Sequence, residues 1–255
     1  MILAHLTDPH VTEAGRRYQI VRDTRAHLAR AITRINLLAP RVDAVVLTGD
    51  LAQNGYPQQY ARLRETLNAL SVPYFAIVGN HDRREAFRRA FADRPWLPPA
   101  GDPLDYAVDD FPMRLIALDV VAKGSSGGHI DPRKLTWIAA RLAEAPHRPT
   151  VFLMHQPPLR TGIRYMDAFG FVGMEAFGAL VARYPNVVGV LCGHIHRTRR
   201  WAWSGTTVIA ARSSAPQVVP YLFEGFVPAW VRLWRPGFLV HTWDGAHLTT
   251  RTILT

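Results

Sequence analysis

A single cysteine, Cys192, stands in a chain of 255 residues that also has only two lysines, Lys123 and Lys134, and no apolar run long enough to cross a bilayer. One thiol excludes a disulfide framework and a thiolate metal cage. Any metal must then be held by imidazole and oxygen, and the chain suits a reducing compartment. The start "MILAHLTDPH" shows no basic leader and no cleavage pattern, which points to a soluble, cytoplasmic protein. With no internal repeat and no low-complexity linker, one domain over 1–255 is expected. Scarce lysine leaves arginine to carry the net charge of +10. That excess favours anionic partners, although a compositional bias toward arginine accounts for it equally well.

What is present is a core. Residues that are 48% hydrophobic and 10% aromatic can fill one, and short β-rich runs alternate with longer amphipathic ones. Strands are expected near 2–7, 43–48, 73–78, 114–119, 150–154 and 187–192. Helices are expected at 19–38, 57–70, 83–91, 132–144 and 174–184, several entered through Asp or Pro. Apolar strands separated by helices indicate α/β sheets covered by helices. After residue 200, "TTVIAARS", "WVRLW", "GFLVHTW" and "HLTTRTIL" follow one another without helices, so a second, partly antiparallel sheet is expected there. The Pro- and aromatic-rich stretch 215–230 reads either as a flap or homo-oligomer surface or as an irregular core crossover.

The chemistry collects at strand ends. "VVLTGD" ends at Asp50, "AIVGN" at Asn80 and "VLCGH" at His194, each with Gly before the polar residue. A residue without Cβ permits the close backbone approach that a packed inorganic centre needs. "TDPH" and "FLMHQPP" add Asp8, His10 and His155 to the same edge, where α/β sheets place their ligands. Asp8 and His10 are two apart, as are His194 and His196. In extended backbone, which Pro9 would favour, that period turns both members of a pair to one side. The set Asp8, His10, Asp50, Asn80, His155, His194 and His196 exceeds the needs of one tetrahedral ion and suits two ions bridged by Asp50. Imidazole and oxygen donors favour Mn, Fe, Zn or Co.

"VGNHDRRE", 78–85, holds Asn80, His81 and Asp82 in a row. If Asn80 turns its amide oxygen to a metal, His81 is directed elsewhere and faces substrate, placed to donate a proton as a general acid. Asp82 reads either as the helix N-cap, with Glu85 three residues on, or as a group orienting His81, and the cap is preferred. Arg83, Arg84, Arg88 and Arg89 read as a solvated helix face. Asp119, ending the fourth strand, is expected to support the site by hydrogen bonding.

These motifs, D-x-H, G-D, G-N-H-D, a lone strand-end His and G-H-x-H, resemble the calcineurin-like binuclear metallophosphoesterase superfamily. "GNHDRREAFRRAF", "GGHIDPRKLTWIAARL" and "HQPPLRTGIRYMD" are similar to bacterial class III cyclic-nucleotide phosphodiesterases and related glycerophosphodiesterases. The resemblance implies a four-layer αββα sandwich with two mixed sheets. It also implies one metal on Asp8, His10, Asp50 and His196 and a second on Asp50, Asn80, His155 and His194. Val78 and Asp82 flank "GNH" where Ser/Thr phosphatases of the superfamily carry Arg and Glu, which disfavours a protein phosphatase.

The implied reaction is attack on a small anionic phosphodiester by a hydroxide between the metals, with Asn80 and His81 meeting the substrate and His81 protonating the departing oxygen. A 3′,5′-cyclic nucleotide is the preferred substrate, and a glycerophosphodiester or a broader range of diesters is the alternative. Selection would fall to loops. In 160–173 Arg160, Arg164 and Tyr165 are candidates, against a plain surface loop. A nuclease is suggested by the charge, but no nucleic-acid module accompanies it. A non-catalytic scaffold should have lost ligands, and none is missing.

Overall fold

The structure, a computed structural model, describes residues 1–18, 23–218 and 233–255. Three apolar runs near the N-terminus form β1 (Ile2–Leu6), β2 (Ala44–Thr48) and β3 (Tyr74–Ile77). They pair in parallel. Their residues are buried on both faces, as uninterrupted apolar runs in a covered parallel sheet must be. Between them lie α1 (Thr24–Asn36) and α2 (Pro57–Leu67). Asp23 starts α1 by accepting from the Arg25 amide, and Pro57 supplies the fixed φ that suits the first turn of α2. The expected helix from 19 begins at 24, and 19–22 lie outside the described residues.

The second sheet grows from β5 (Arg114–Ala117), β7 (Thr150–Leu153) and β9 (Val187–Cys192), parallel to one another. β4 (Tyr106–Val108) covers one edge antiparallel to β5. On the other side β11 (Thr206–Ala210) runs parallel to β9 and carries β10 (Arg199–Trp203). The helices α4 (Pro132–Glu144) and α6 (Met174–Val181) cover its outer face. α4 is entered as its sequence requires, with Asp131 accepting from the Lys134 amide at 2.7 Å and Pro132 next.

The last strands do not build a sheet of their own. β14 (Gly237–Trp243) pairs antiparallel with β1, and β15 (Leu248–Leu254) pairs with β14, so both extend the first sheet, while β10 and β11 belong to the second. The order is β15-β14-β1-β2-β3 in one sheet and β10-β11-β9-β7-β5-β4 in the other. The expectation of a separate sheet after residue 200 is corrected: hydrophobic alternation marks a strand but not which open edge it joins. A short pair, β12 (Gln217–Val218) with β13 (Leu233–Trp234), flanks 219–232, which lie outside the described residues together with most of the expected flap at 215–230.

Alternation along β7 divides the core. Val151 and Leu153 enter the cluster between the two sheets, which also reaches Leu28, Ile32 and Leu63 of the first two helices. Phe152 and Met154 enter the cluster under α4 and α6 with Ile138, Leu142 and Phe177. The result is the expected four-layer αββα arrangement. Among the described residues no helix is long and apolar enough to cross a membrane.

Candidate metal centre

β1, β2, β3, β7 and β9 all end at the same edge, and each delivers one of the anticipated side chains just beyond its last residue. Asp8, His10, Asp50 and His196 each present a ligand atom within 4.8 Å of the other three. Asp8 Oδ1 lies 3.0 Å from His196 Nε2 and 3.8 Å from His10 Nε2. Asp50 Oδ2 is 3.7 Å from His10 Nε2 and 3.3 Å from His155 Nε2, so one carboxylate oxygen sits between the two halves of the cluster. The His155 and His194 rings meet edge to face at 5.1 Å. Asn80 stands at the rim, its Oδ1 3.4 Å from Gln156 Nε2 and its Nδ2 3.5 Å from Ser126 Oγ.

The convergence has a different cause from the extended backbone expected. Asp8, His10, Asp50, His194 and His196 have φ of 50°, 43°, 48°, 70° and 56°, in the left-handed region. Asp and His tolerate it better than most residues, yet each such residue costs of order 1 kcal/mol or more. Backbone bonds hold the turns in place: the Asp8 amide donates to Gly49 O at 3.1 Å and the His10 amide to Asp50 O at 3.0 Å. Residues 79–82 likewise form a turn, closed by the Asp82 amide on Gly79 O, and this turn rather than strand alternation sends His81 away from Asn80.

The glycines before the strand-end residues perform as anticipated. A Cβ on Gly49 would stand 2.6 Å from His155 Nδ1, one on Gly79 would overlap the Asp50 amide and carboxylate, and one on Gly193 would overlap Thr7 Oγ1.

Neighbouring acceptors fix which imidazole nitrogen faces inward. His10 Nδ1 is 2.8 Å from Gln53 Oε1, and His155 Nδ1 donates to Thr48 O at 2.7 Å. Both Nε2 atoms are therefore directed to the centre. Tyr18 stacks on the His10 ring at 4.4 Å and 9°. Gln53, Thr48 and Tyr18 were not anticipated; "GDLAQNG" contains Gln53, but nothing in the string marks it.

Burial pushes the Asp8 carboxyl up, but the His196 and His155 charges hold it at about 2, and burial of Asp50 is likewise overcome by His155 and His10. Burial lowers His155, yet Asp50 and Asp8 raise it to about 9. Burial leaves His10 and His194 at about 3, ready as neutral ligands. Asp8 Oδ1 and His155 Nε2 are buried and have no hydrogen-bond partner outside the cluster. Such orphaned donors of one carboxylate and one imidazole, inside a thiolate-free set of carboxylates and imidazoles, fit Mn, Fe, Zn or Co.

His81 lies against this cluster without joining its innermost four. Its ring meets His10 edge to face at 4.9 Å, its amide donates to Asp50 Oδ1 at 2.8 Å, and its Nδ1 is 2.9 Å from Gln53 O. Asp82 neither caps α3 (Arg84–Ala90) nor orients His81. Its carboxylate accepts from the Leu51, Ala52 and Gly79 amides and from Tyr60 Oη, tying its own turn to the loop after β2 and to α2, while Arg83 holds the N-cap position. Arg84 is not simply solvated: it forms a two-pronged ion pair with Asp119, whose other hydrogen bonds among the described residues go to Asp105, Val121 and Lys134 and not to the cluster.

The chain matches the sequence profile described as calcineurin-like phosphoesterase over residues 1–198. The chain belongs to the calcineurin-like phosphoesterase family. Over 99% of its length it is 32% identical to a probable glycerophosphodiester phosphodiesterase of Arcobacter nitrofigilis, of which 92% is covered. It is 33% identical over 88% of its length to a probable cyclic nucleotide phosphodiesterase of Rhodopseudomonas palustris, 82% of which is covered. A dimetal phosphatase from Danio rerio has the same fold, with a TM-score of 0.74 and 15% identity, covering 98% of this chain and 95% of that one. As a calcineurin-like phosphoesterase the chain is a metal-dependent hydrolase of phosphoesters, and the Asp/His cluster has the donor atoms to hold a metal ion.

A cavity of about 180 Å³ opens beside His194, lined by Gln156, Arg160, Thr161, Met166, Asp167 and Phe169 among others. Of the candidates in 160–173, Arg160 lines it. Tyr165 packs against the core under α4 and α6. Arg164 lies exposed at the start of α5 (Arg164–Asp167) and outside the cavity lining.

Proposed function

We propose that this chain hydrolyses small phosphodiesters, 3′,5′-cyclic nucleotides among them, with His81 as the general acid. Asp8, His10, Asp50 and His196 would hold one metal ion, and Asp50, Asn80, His155 and His194 a second. A bound pair of metals supplies Lewis-acid chemistry, activating water and neutralising charge on the phosphoryl oxygens.

The observation that carries the reading is the anchoring of His81. Its Nδ1 donates to Gln53 O, which leaves Nε2 as the nitrogen able to carry a proton to a departing oxygen. A ring fixed by a backbone carbonyl keeps one tautomer and one direction, which a proton donor needs. Asn80 is held from outside by Ser126 and Gln156, so its amide is positioned before substrate arrives. Asp50 carries two loads: Oδ2 lies between His10 and His155, while Oδ1 takes the His81 amide. Acid and cluster thus share one carboxylate.

A second reading, glycerophosphodiester hydrolysis, is favoured by the 32% identity over 99% of this chain to a probable glycerophosphodiester phosphodiesterase. Turnover of cyclic AMP, cyclic GMP, glycerophosphodiesters, a nitrophenyl diester and single-stranded DNA by metal-reconstituted protein tests both readings. Hydrolysis of none of these diesters would refute the assignment, and hydrolysis of DNA alone would make the chain a nuclease.

A further inference from the structure

Phe169 is 47% exposed, one of few large apolar side chains so exposed among the described residues, and it lies in the wall of the cavity beside His194. Its ring and that of His194 are 6.2 Å apart and 64° from parallel. An edge-to-face contact does not cover Phe169 as stacking would, so a flat apolar surface is left beside the metal centre.

The loop that presents it is built rather than slack. Asp167 accepts from the Thr161 amide at 2.7 Å, Thr161 Oγ1 at 2.8 Å and the Gly162 amide at 3.0 Å, closing the segment on itself. The Phe169 amide donates to Met166 O. On the far side β8 (Phe171–Val172) pairs with β6 (Gly128–His129), and a Cβ on Gly127 would overlap the Phe169 carbonyl, so the two loops touch through their backbones. The ring therefore stands on a fixed base, in a cavity wall that also holds Met166 and Phe171.

From this geometry we infer that Phe169 is a specificity-determining residue that stacks on the planar ring of a phosphodiester bearing a nucleobase, selecting such diesters over aliphatic ones. The inference rests on the phosphodiesterase reading above and extends it to the group attached to phosphate. Every base offers a π-face, so the contact discriminates aromatic from aliphatic and not one base from another. Stacking that persists from bound substrate to transition state changes KM more than kcat.

The test compares thymidine 5′-p-nitrophenyl phosphate with methyl p-nitrophenyl phosphate. These diesters share a leaving group and differ in the base. Wild-type holoenzyme should prefer the thymidine diester, and Phe169→Ala should lower its kcat/KM by about 5- to 100-fold, mainly through KM. The methyl diester should change by no more than about two-fold, and Phe169→Trp should restore the preference at unchanged metal content. Equal losses on both diesters would make Phe169 a structural residue, and no loss on either would leave the ring without a role; each overturns the proposal. If neither diester is hydrolysed by the wild type, the phosphodiesterase reading fails first, an outcome distinct from both.

Discussion

The Nε2 atoms of His10 and His196 face each other at 3.2 Å, and both lie within 4 Å of Asp8 Oδ1. A cation placed between these nitrogens and Asp8 Oδ1 would meet two imidazoles and a carboxylate oxygen at once.

Removal of metal should therefore abolish diesterase activity, and Mn, Fe, Co or Zn should restore it to different extents. Asp50→Ala, which takes a carboxylate from both halves of the cluster, should reduce bound metal more than His196→Ala. Elemental analysis with parallel activity assays measures both effects. Full activity in rigorously metal-free protein would refute the prediction.

His81→Ala should keep the metal content and lose about 10²- to 10⁴-fold on diesters whose departing alkoxide needs a proton. Nitrophenolate leaves without one, so a nitrophenyl diester should suffer much less. Equal losses on good and poor leaving groups would exclude proton donation. A missing metal equivalent would instead make His81 a ligand.

His155 gives the metal-free protein a pH dependence of definite sign. Its pKa rises from 6.5 to about 9 in the fold, so it contributes stability that is fully present below pH 6.5 and lost as pH climbs through about 9. The span corresponds to roughly 3 kcal/mol. Because His10 and His194 are held neutral in the fold and oppose this trend only as pH falls through 6.5, urea unfolding of chelated protein at about pH 7.5 and pH 9.5 should show the decline. In the metal-loaded protein protons compete with the ion for the same nitrogen, so the trend should reverse. Identical stability at the two pH values without metal would contradict the account.

Asp82→Ala should destabilise the fold by about 2–4 kcal/mol, because the Leu51, Ala52 and Gly79 amides and Tyr60 Oη would lose their shared acceptor. For a chain of this size that is a fall in Tm of roughly 5–15 °C, and a thermal melt reads it directly. A melt within 2 °C of wild type would mean that water replaces the carboxylate there.

Much of the centre was legible in residue types and order. Asp8, Asp50 and His155 follow apolar strands, and parallel strands must end at one edge. The local geometry was not legible, since left-handed φ at Asp8, His10, Asp50, His194 and His196 is imposed by contacts such as His10 N to Asp50 O, across forty residues of sequence. Asp82 shows the same limit. Its spacing to Glu85 resembles a helix cap, but the Gly79 amide of its own turn and the Leu51 and Ala52 amides of the loop after β2 claimed the carboxylate. The pairing of Arg84 with Asp119 was hidden for a related reason: a helix face reads as solvated until the element opposite it is known.

β1 lies between β2 and β14, with His5 opposite Leu239. The strand that leads to Asp8 is made more than two hundred residues before its second neighbour, β14. Until then one side of β1 is an open row of amides and carbonyls, able to pair with another chain. Its closure joins segments more than two hundred residues apart, the kind of contact that slows folding most. A nascent chain halted before Gly237 should hold Asp8 on an unfinished sheet, so metal capture should await the arrival of β14.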